Sequence, residues 1–176
     1  RFATPDGRVH FAAVRWEPVA EDRVSSFPFA LTTGRLRDQW HGMTRTGTAG
    51  RLYAHSPEPC VQLNPKDLAR LGLQNGHLAE VRSTRGSLVL PVQACEELAP
   101  MQAFIAMHWG PEVLSGRDAQ GQPGLGVNVL TNSSFCPRSK QPELKHAAVQ
   151  ITPAKRLGTW SWVGMAWLPS HHVWQV

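Results

Sequence analysis

The sequence is poor in cysteine. Its 176 residues contain only Cys60, Cys95 and Cys136, and no two of them form a C-x-x-C pair. Disulfide frameworks and structural zinc sites need more cysteines at closer spacing, so this pattern argues against both. We therefore expect reduced thiols, no metal ligand within this chain and a reducing, cytoplasmic location.

Long apolar runs are also missing. No segment approaches the roughly 18 residues of a membrane span, and the N-terminus lacks the shape of a signal peptide. We expect no membrane partner. Because the chain begins with Arg1 rather than methionine, we expect it to be a piece of a longer protein.

Charge and aromatic content narrow the function further. The net charge of +5 suits an anionic ligand but equally a solvated basic face. A β-barrel that binds nucleic acid needs aromatic side chains spaced along its strands beside the basic residues. Tyr53 is the only tyrosine, and the tryptophans gather in the C-terminal tail and in single motif positions. The sequence therefore predicts no nucleic-acid partner.

What the sequence does contain is a series of short strands. Alternating or β-branched runs bounded by turn residues predict strands at residues 9–14, 27–32, 60–63, 77–83, 87–93, 103–107, 127–130 and 147–151. Seven or eight short strands with one or two brief helices indicate a mainly β fold, and a closed β-barrel rather than a doubly wound sheet.

One short helix has clear boundary signals. Asn64 is a favourable N-cap, Pro65 suits the first helical position, and Asp67 complements the positive end of the helix dipole. Gly72 is a typical C-terminal stop. The sequence predicts a helix of two turns between these residues.

The most unusual stretch is TTGRLRDQWHGMTRTG at residues 32–47. It places a glycine among hydroxyl-bearing and cationic side chains in one loop between two strand-like segments. Glycine lets a backbone approach a ligand closely, hydroxyl and N–H groups donate hydrogen bonds, and arginine supplies a planar forked charge. The loop is therefore a candidate site for a phosphate-bearing ligand.

Five motifs in register resemble a known family. They are the loop just described, NPKDLARLGLQNG at 64–76, AFIAMHWG at 103–110, VNVLTN at 127–132 and QPELKH at 141–146. Together they resemble the C-terminal molybdopterin-dinucleotide-binding domain of molybdenum oxidoreductases, and most of all that of the catalytic subunit of bacterial assimilatory nitrate reductase. The resemblance covers about residues 1–152.

The resemblance implies a double-psi β-barrel that helps to clamp a bis-molybdopterin guanine dinucleotide cofactor. The loop would lie along the dinucleotide, Lys145 would face its anionic pterin-dithiolene end, and Asn128 would pair with a guanine or pterin edge. The cofactor-binding residues implied are Thr33, Gly34, Arg35, Leu36, Arg37, Asp38, Trp40, His41, Thr44, His108, Trp109, Asn128 and Lys145.

Plainer roles remain open for several of these residues. Trp109 could be a core aromatic and His108 a satisfied surface donor. Trp40 could be a buried anchor for the loop, His41 could hold backbone carbonyls, and Arg37, like Arg45, could be solvated charge.

The reaction is likewise given only by resemblance. In that family nitrate is reduced to nitrite at molybdenum, with electrons arriving from a donor protein through an iron–sulfur cluster in another domain. This chain would then hold no catalytic residue and would be inactive alone, bound to the remaining domains of its catalytic subunit. A formate dehydrogenase or a periplasmic nitrate reductase is the alternative, although the wording QWHGMTRTG favours the assimilatory enzyme.

Three regions follow from this interpretation: a lead-in strand and linker at 1–26, the barrel at 27–152 and a tryptophan-rich tail at 153–176, expected to pack on another surface. The chain departs from the family pattern at Cys136-Pro137, where an acidic residue is expected before the proline. A second departure is the long excursion at 115–126.

Overall fold

The computed structural model describes residues 1–154 except 12, 14 and 111–125. Within these residues there are six β-strands, one α-helix and three short 3-10 helices. The strands are β1 Phe29–Gly34, β2 Val61–Leu63, β3 Leu78–Arg82, β4 Ser87–Ala94, β5 Gln102–Ala106 and β6 Ala147–Pro153. The α-helix, α1, is Pro65–Leu71, and the 3-10 helices are His41–Met43, Gly50–Tyr53 and Val127–Leu130.

The strands form a closed barrel in the order β1-β5-β2-β4-β3-β6. The pairs β1·β5 and β2·β4 are parallel, and the other four are antiparallel. The prediction of a mainly β fold with a closed barrel is therefore confirmed. Closure leaves no long strand edge unpaired, which suits strands this short.

The barrel has two ends that differ in structure. At one end, which we call the loop end, β1, β3 and β5 finish and β2, β4 and β6 begin. At the opposite end, which we call the helix end, α1 follows β2. The 35–60 loop, the β3–β4 turn and the 3-10 helix Val127–Leu130 all connect at or beside the loop end.

The core lies inside the barrel and follows strand alternation. In β1 every second residue from Phe29 is buried, and β2, β3 and β4 show the same period of two. Leu31, Val61, Leu63 and Val81 are fully inaccessible to solvent. Burial of these aliphatic side chains stabilises the barrel by about 1.5–3 kcal/mol each before the entropy of ordering is subtracted.

The helix end closes the barrel with satisfied polar groups. The Asn64 side chain accepts a hydrogen bond from the Lys66 amide at 2.9 Å and donates to the Leu98 carbonyl at 2.7 Å. The buried carboxylate of Asp67 accepts from the Arg70 guanidinium at 2.9 Å and from the Met101 amide at 2.7 Å. Gly72 ends the helix in the left-handed region, with φ of +67°. The predicted helix and both of its caps are confirmed.

Two strand predictions were wrong. Residues 127–130 form a 3-10 helix, because residues three apart eclipse on such a helix and this buries Val127 and Leu130 together while Asn128 stays exposed. No strand is present in the described part of 9–14, where Val9 and Phe11 are exposed. The described residues thus contain six strands instead of seven or eight.

Other expectations lie partly outside the described residues. The tail beyond 154 and the excursion at 115–126 fall there except for Gly126, so the division into 1–26, 27–152 and 153–176 stays a prediction. Among the residues that are described, no helix is long and apolar enough to cross a membrane.

Candidate functional site

The candidate site begins where β1 ends. Gly34 lies against the ring of Phe104 on the neighbouring parallel strand, and a Cβ at position 34 would lie 2.5 Å from that ring. Its carbonyl accepts a hydrogen bond from the Met107 amide at 2.9 Å. A side chain at position 34 would collide with this ring, so glycine lets the Phe104 ring pack against the end of β1.

The loop turns on three successive residues with left-handed backbone. His41, Gly42 and Met43 have φ of +48°, +58° and +67°, of which only the glycine adopts this region at low cost. The Met43 side chain is buried with Ala106 and Trp109. This packing holds the strained turn in place and leaves His41 exposed.

A buried glutamine that the sequence analysis did not single out ties the loop together. Gln39 is 2% exposed, donates to the Leu52 carbonyl at 3.1 Å and accepts from the Thr46 hydroxyl at 2.7 Å. Thr46 in turn accepts from the Trp40 amide. A lone Gln in a polar loop has no sequence pattern that reveals burial, so only the fold could identify it.

The charged residues of the loop fall into two groups. Arg37 forms a two-point ion pair with Asp38 at 2.8 Å, and this pairing holds the pKa of the Asp38 carboxyl below its usual value. Arg35 has no ion-pair partner among the described residues; its guanidinium lies 5.5 Å from the centre of the Trp40 ring. Trp40 is 48% exposed, so it is not the buried anchor considered above.

The hydroxyl groups of the loop are largely committed to the protein. Thr33 donates to the Leu144 carbonyl at 2.6 Å, and Thr44 donates to the His41 carbonyl at 2.8 Å. Thr32 donates to the Ala103 carbonyl. A hydroxyl carries a single proton, so these groups can still accept a hydrogen bond from a ligand but cannot donate one.

His108 is the least satisfied polar group at this end. It is 5% exposed, and neither ring nitrogen has a hydrogen-bond partner among the described residues. Burial, and secondarily the positive charge of Arg35, lower the pKa of this imidazole and so favour its neutral form. It is not a satisfied surface donor. The neighbouring Trp109 is buried and packs with Met43 and Leu36, as a core aromatic does.

Lys145 and Asn128 also lie at the loop end. The Lys145 ammonium donates one of its three protons to the Thr33 carbonyl at 2.9 Å, which places the charge beside the end of β1. Asn128 is exposed on the 3-10 helix, and its side-chain amide has no hydrogen-bond partner in the described part of the chain. Both groups therefore retain hydrogen-bonding capacity for a ligand.

No cluster of three or more His, Cys, Asp or Glu side chains that could hold a metal ion occurs among the described residues. The Cys60 thiol has a pKa raised to about 11 by burial and by the nearby Glu58 carboxylate. A thiol that resists ionisation is a poor metal ligand, since metals bind the thiolate.

Comparison with known proteins identifies the family. The family model described as "Molydopterin dinucleotide binding domain" matches residues 29–148, which span the barrel from β1 into β6. This chain belongs to the molybdopterin-dinucleotide-binding domain family. The resemblance inferred from the five motifs is thus confirmed.

Named relatives of this family member include two nitrate reductases. One, from Synechocystis sp., is 40% identical over 87% of this chain, and one from Klebsiella oxytoca is 38% identical over 83%. The F420-dependent formate dehydrogenase subunit alpha of Methanocaldococcus jannaschii is 32% identical over 86%. The aligned parts span only 20%, 16% and 20% of these relatives, so the family domain is a small part of each of them.

A solved structure supports the fold. The domain aligns with acetylene hydratase from Pelobacter acetylenicus at a TM-score of 0.58 and 22% identity, over 72% of this chain and 18% of that one. With the closed six-stranded barrel, this likeness confirms the predicted double-psi β-barrel.

Proposed function

We propose that the loop end binds one face of a bis-molybdopterin guanine dinucleotide. The residues proposed to contact or frame the cofactor are Thr33, Gly34, Arg35, Leu36, Arg37, Asp38, Trp40, His41, Thr44, His108, Trp109, Asn128 and Lys145. When bound, the cofactor supplies oxygen-atom and electron transfer at molybdenum.

The observation that carries the proposal is that the loop end holds both a buried imidazole and a free arginine charge. His108 has no hydrogen-bond partner and Arg35 has no ion-pair partner among the described residues. Leaving His108 without hydrogen bonds costs about 1–3 kcal/mol, which a ligand acceptor or donor at this place would recover. Arg35 adds a forked cation and Lys145 a point charge at the same end of the barrel. A dinucleotide with a pyrophosphate and heteroatom-rich rings fits this set of groups.

The other residues would shape and orient the bound group. The exposed amide of Asn128 offers one donor and one acceptor side, as a purine or pterin edge requires. Leu36 and Trp109 would act through packing, since Trp109 belongs to the buried cluster with Met43 and Leu36 packs against that cluster. Arg37 would contribute less charge than Arg35, because Asp38 already neutralises it.

We further propose that the whole protein reduces nitrate to nitrite in the cytoplasm as an assimilatory enzyme. The names of the Synechocystis and Klebsiella oxytoca relatives support nitrate, and the loop wording QWHGMTRTG supports the assimilatory type. Its electrons would come from a donor protein through an iron–sulfur cluster in the remaining domains. This chain would supply binding and orientation and no catalytic residue.

The second candidate is a formate dehydrogenase that uses the same cofactor. Its support is the 32% identity to the Methanocaldococcus jannaschii subunit named for that activity. A periplasmic nitrate reductase would use the same barrel, because the substrate pocket lies mostly outside it.

Cofactor analysis of the intact protein tests both the proposed cofactor binding and the proposed nitrate reduction. Molybdenum with about two GMP per metal, together with nitrite formed from nitrate and a reduced dye, is the expected result. The same cofactor without nitrite would contradict nitrate as substrate and leave the binding proposal standing. Absence of molybdenum and GMP, from a host that makes both, would overturn the binding proposal itself.

A further inference from the structure

An ion pair outside the proposed binding residues holds the 3-10 helix that carries Asn128. Arg85 lies in the β3–β4 turn, and Glu21 lies in the lead-in segment, 64 positions earlier. The two side chains meet in parallel: Nη1 donates to Oε1 at 2.8 Å and Nη2 to Oε2 at 2.9 Å. Two-point pairs of this kind are geometrically specific as well as strong.

The same guanidinium reaches the end of the 3-10 helix. Its Nε donates to the Leu130 carbonyl at 3.2 Å and its Nη2 to the same oxygen at 2.8 Å. Leu130 is the last residue of the helix, two positions after Asn128. Arg85 thus uses one planar group to join the lead-in, the β3–β4 turn and this helix through four hydrogen bonds, one more than the three protons of a Lys ammonium allow.

Glu21 anchors the other side of the arrangement. Its Oε2 accepts from the Ala148 amide at 2.9 Å, at the position where β6 pairs with β1 and β3 has already ended. Its own carbonyl contacts Nε2 of His146 at 2.8 Å. The pair is only partly exposed, 20% for Glu21 and 30% for Arg85, so it is less screened than a surface ion pair.

Packing fixes the same helix from below. Gly86 follows Arg85, and a Cβ there would lie 2.5 Å from Cγ2 of Val129. The turn therefore contacts the helix directly at Val129 and through hydrogen bonds at Leu130. These two contacts hold the two residues that follow Asn128, and they limit how far the exposed amide of Asn128 can move.

We propose that Arg85 and Glu21 are positioning residues that hold Asn128 for the cofactor. The inference rests on the proposed function, since it gives Asn128 a ligand to meet. Neither residue contacts the cofactor; each acts through the backbone of the 3-10 helix.

The test measures cofactor loss from the intact protein as acid-released GMP per polypeptide over time. The variants are Asn128→Ala, Arg85→Gln, Arg85→Lys and both Asn128→Ala and Arg85→Gln together. The matched control is Arg82→Gln, since Arg82 bonds Gln150 on the neighbouring strand at 2.7 Å and no described hydrogen bond joins it to the helix. We expect Arg85→Gln to speed GMP loss about tenfold, which is about 1.4 kcal/mol. Arg85→Lys should lie in between.

The double variant separates positioning from general destabilisation. If Arg85 acts through Asn128, the Arg85→Gln change adds nothing once the Asn128 amide is gone. An equal acceleration with and without that amide would overturn the inference. The inference would also be overturned if Arg85→Gln lost GMP as slowly as Arg82→Gln while Asn128→Ala lost it fast. That result would leave the proposed function standing.

Two further outcomes complete the test. GMP retention in Asn128→Ala equal to that of the unaltered protein would refute the binding role of Asn128, and with it the positioning role. Should Arg85→Gln fail to fold, Glu21→Gln keeps the shape of the pair and removes its charge. It should speed GMP loss in the same direction by a smaller factor, and no change would count against the proposal.

Discussion

The two ends of the barrel handle their polar groups in opposite ways. At the helix end, Asn64 and Asp67 are buried and each makes two hydrogen bonds. At the loop end, His108 is equally buried and has no hydrogen-bond partner among the described residues. The first end is satisfied by the described residues themselves, whereas the second carries a cost that a ligand donor or acceptor would recover.

The two ends also differ in how their left-handed residues are grouped. At the helix end Gly72 occupies the left-handed C-cap position at little cost, and Met101, just before β5, has φ of +65°. At the loop end two residues with full side chains, His41 and Met43, adopt left-handed backbone within a single turn. Strain held in place by packing beside an unsatisfied histidine is typical of a binding site. The following changes test this difference between the two ends.

The largest expected effect is on stability, at the helix end. Asp67→Ala would leave the partly buried Met101 amide without its acceptor and should destabilise the barrel by about 2–3 kcal/mol. Hydrogen exchange of barrel amides in the intact protein measures this change. Lys66→Ala, on the same helix, is the control. Retention of normal protection in Asp67→Ala would show that the helix end is not the stabilising one.

His108→Phe should have the opposite effect, with cofactor binding weakened and the stability of the barrel kept. Removing an unpartnered polar group while keeping a ring should leave the cofactor-free barrel as stable or stabilise it by about 1 kcal/mol. Cofactor content should nevertheless fall about tenfold if the imidazole meets the ligand. Hydrogen exchange and the GMP content of the same preparation give both quantities. His77→Phe, at the opposite end, serves as the control, and normal GMP content in His108→Phe would refute the role.

The third change separates the arginines of the loop. Arg35→Ala removes an uncompensated cation and should lower cofactor retention several-fold, whereas Arg37→Ala should do less because Asp38 already pairs with it. Arg51→Ala, an exposed arginine farther along the loop, provides the control. Molybdenum and GMP per polypeptide are the measurements. Equal effects of Arg35→Ala and Arg51→Ala would mean that charge alone, and not its place, matters.

The smallest expected effect is acid sensitivity at the lead-in. Hydrogen bonding to Arg85 lowers the pKa of the Glu21 carboxyl below 4.5 in the folded protein, against opposition from burial. A lowered folded-state pKa stabilises the fold above pH 4.5, and this contribution is lost as the pH falls through the folded pKa. We expect it to be no more than about 1 kcal/mol, given partial exposure.

Glu21→Gln should flatten the stability profile below pH 4.5 while the profile above pH 5 stays level. Hydrogen exchange of the Ala148 region, corrected for intrinsic rates, measures it. If Glu21→Gln lost stability below pH 4.5 as the unaltered protein does, the acid sensitivity would belong to other carboxyl groups.

Local signals predicted local structure well. The Asn64-Pro65 start and Gly72 stop located α1 to the residue, since capping and left-handed termination depend on neighbours in the chain. The segment 127–130 was predicted as a strand because its apolar residues suit either structure over so short a run. Contact with the β3–β4 turn, through Gly86 and Arg85, accompanies the 3-10 form.

Composition predicted only the loop of the candidate site, and the motifs that resemble the family implied the other site residues. The loop predicted from glycine, hydroxyl and arginine content does lie at one barrel end with His108 and Lys145. The hydroxyl protons of Thr33 and Thr44, however, are used by backbone carbonyls, and that of Thr46 is used by Gln39, which ties the loop together. Which polar groups are free for a ligand depends on contacts between distant residues, and no local pattern encodes them.

Motif order, alternation and capping are properties of neighbouring residues, and they were enough to predict the family, the strand-rich barrel and the boundaries of α1. The satisfaction of polar groups became visible in the folded chain: Asp67 is held on two sides, His108 is buried without a partner among the described residues, and Glu21 meets Arg85 across 64 positions. Hydrogen-bond satisfaction is a balance over all surrounding atoms, and the closed barrel sets that balance when it brings distant segments to the same end.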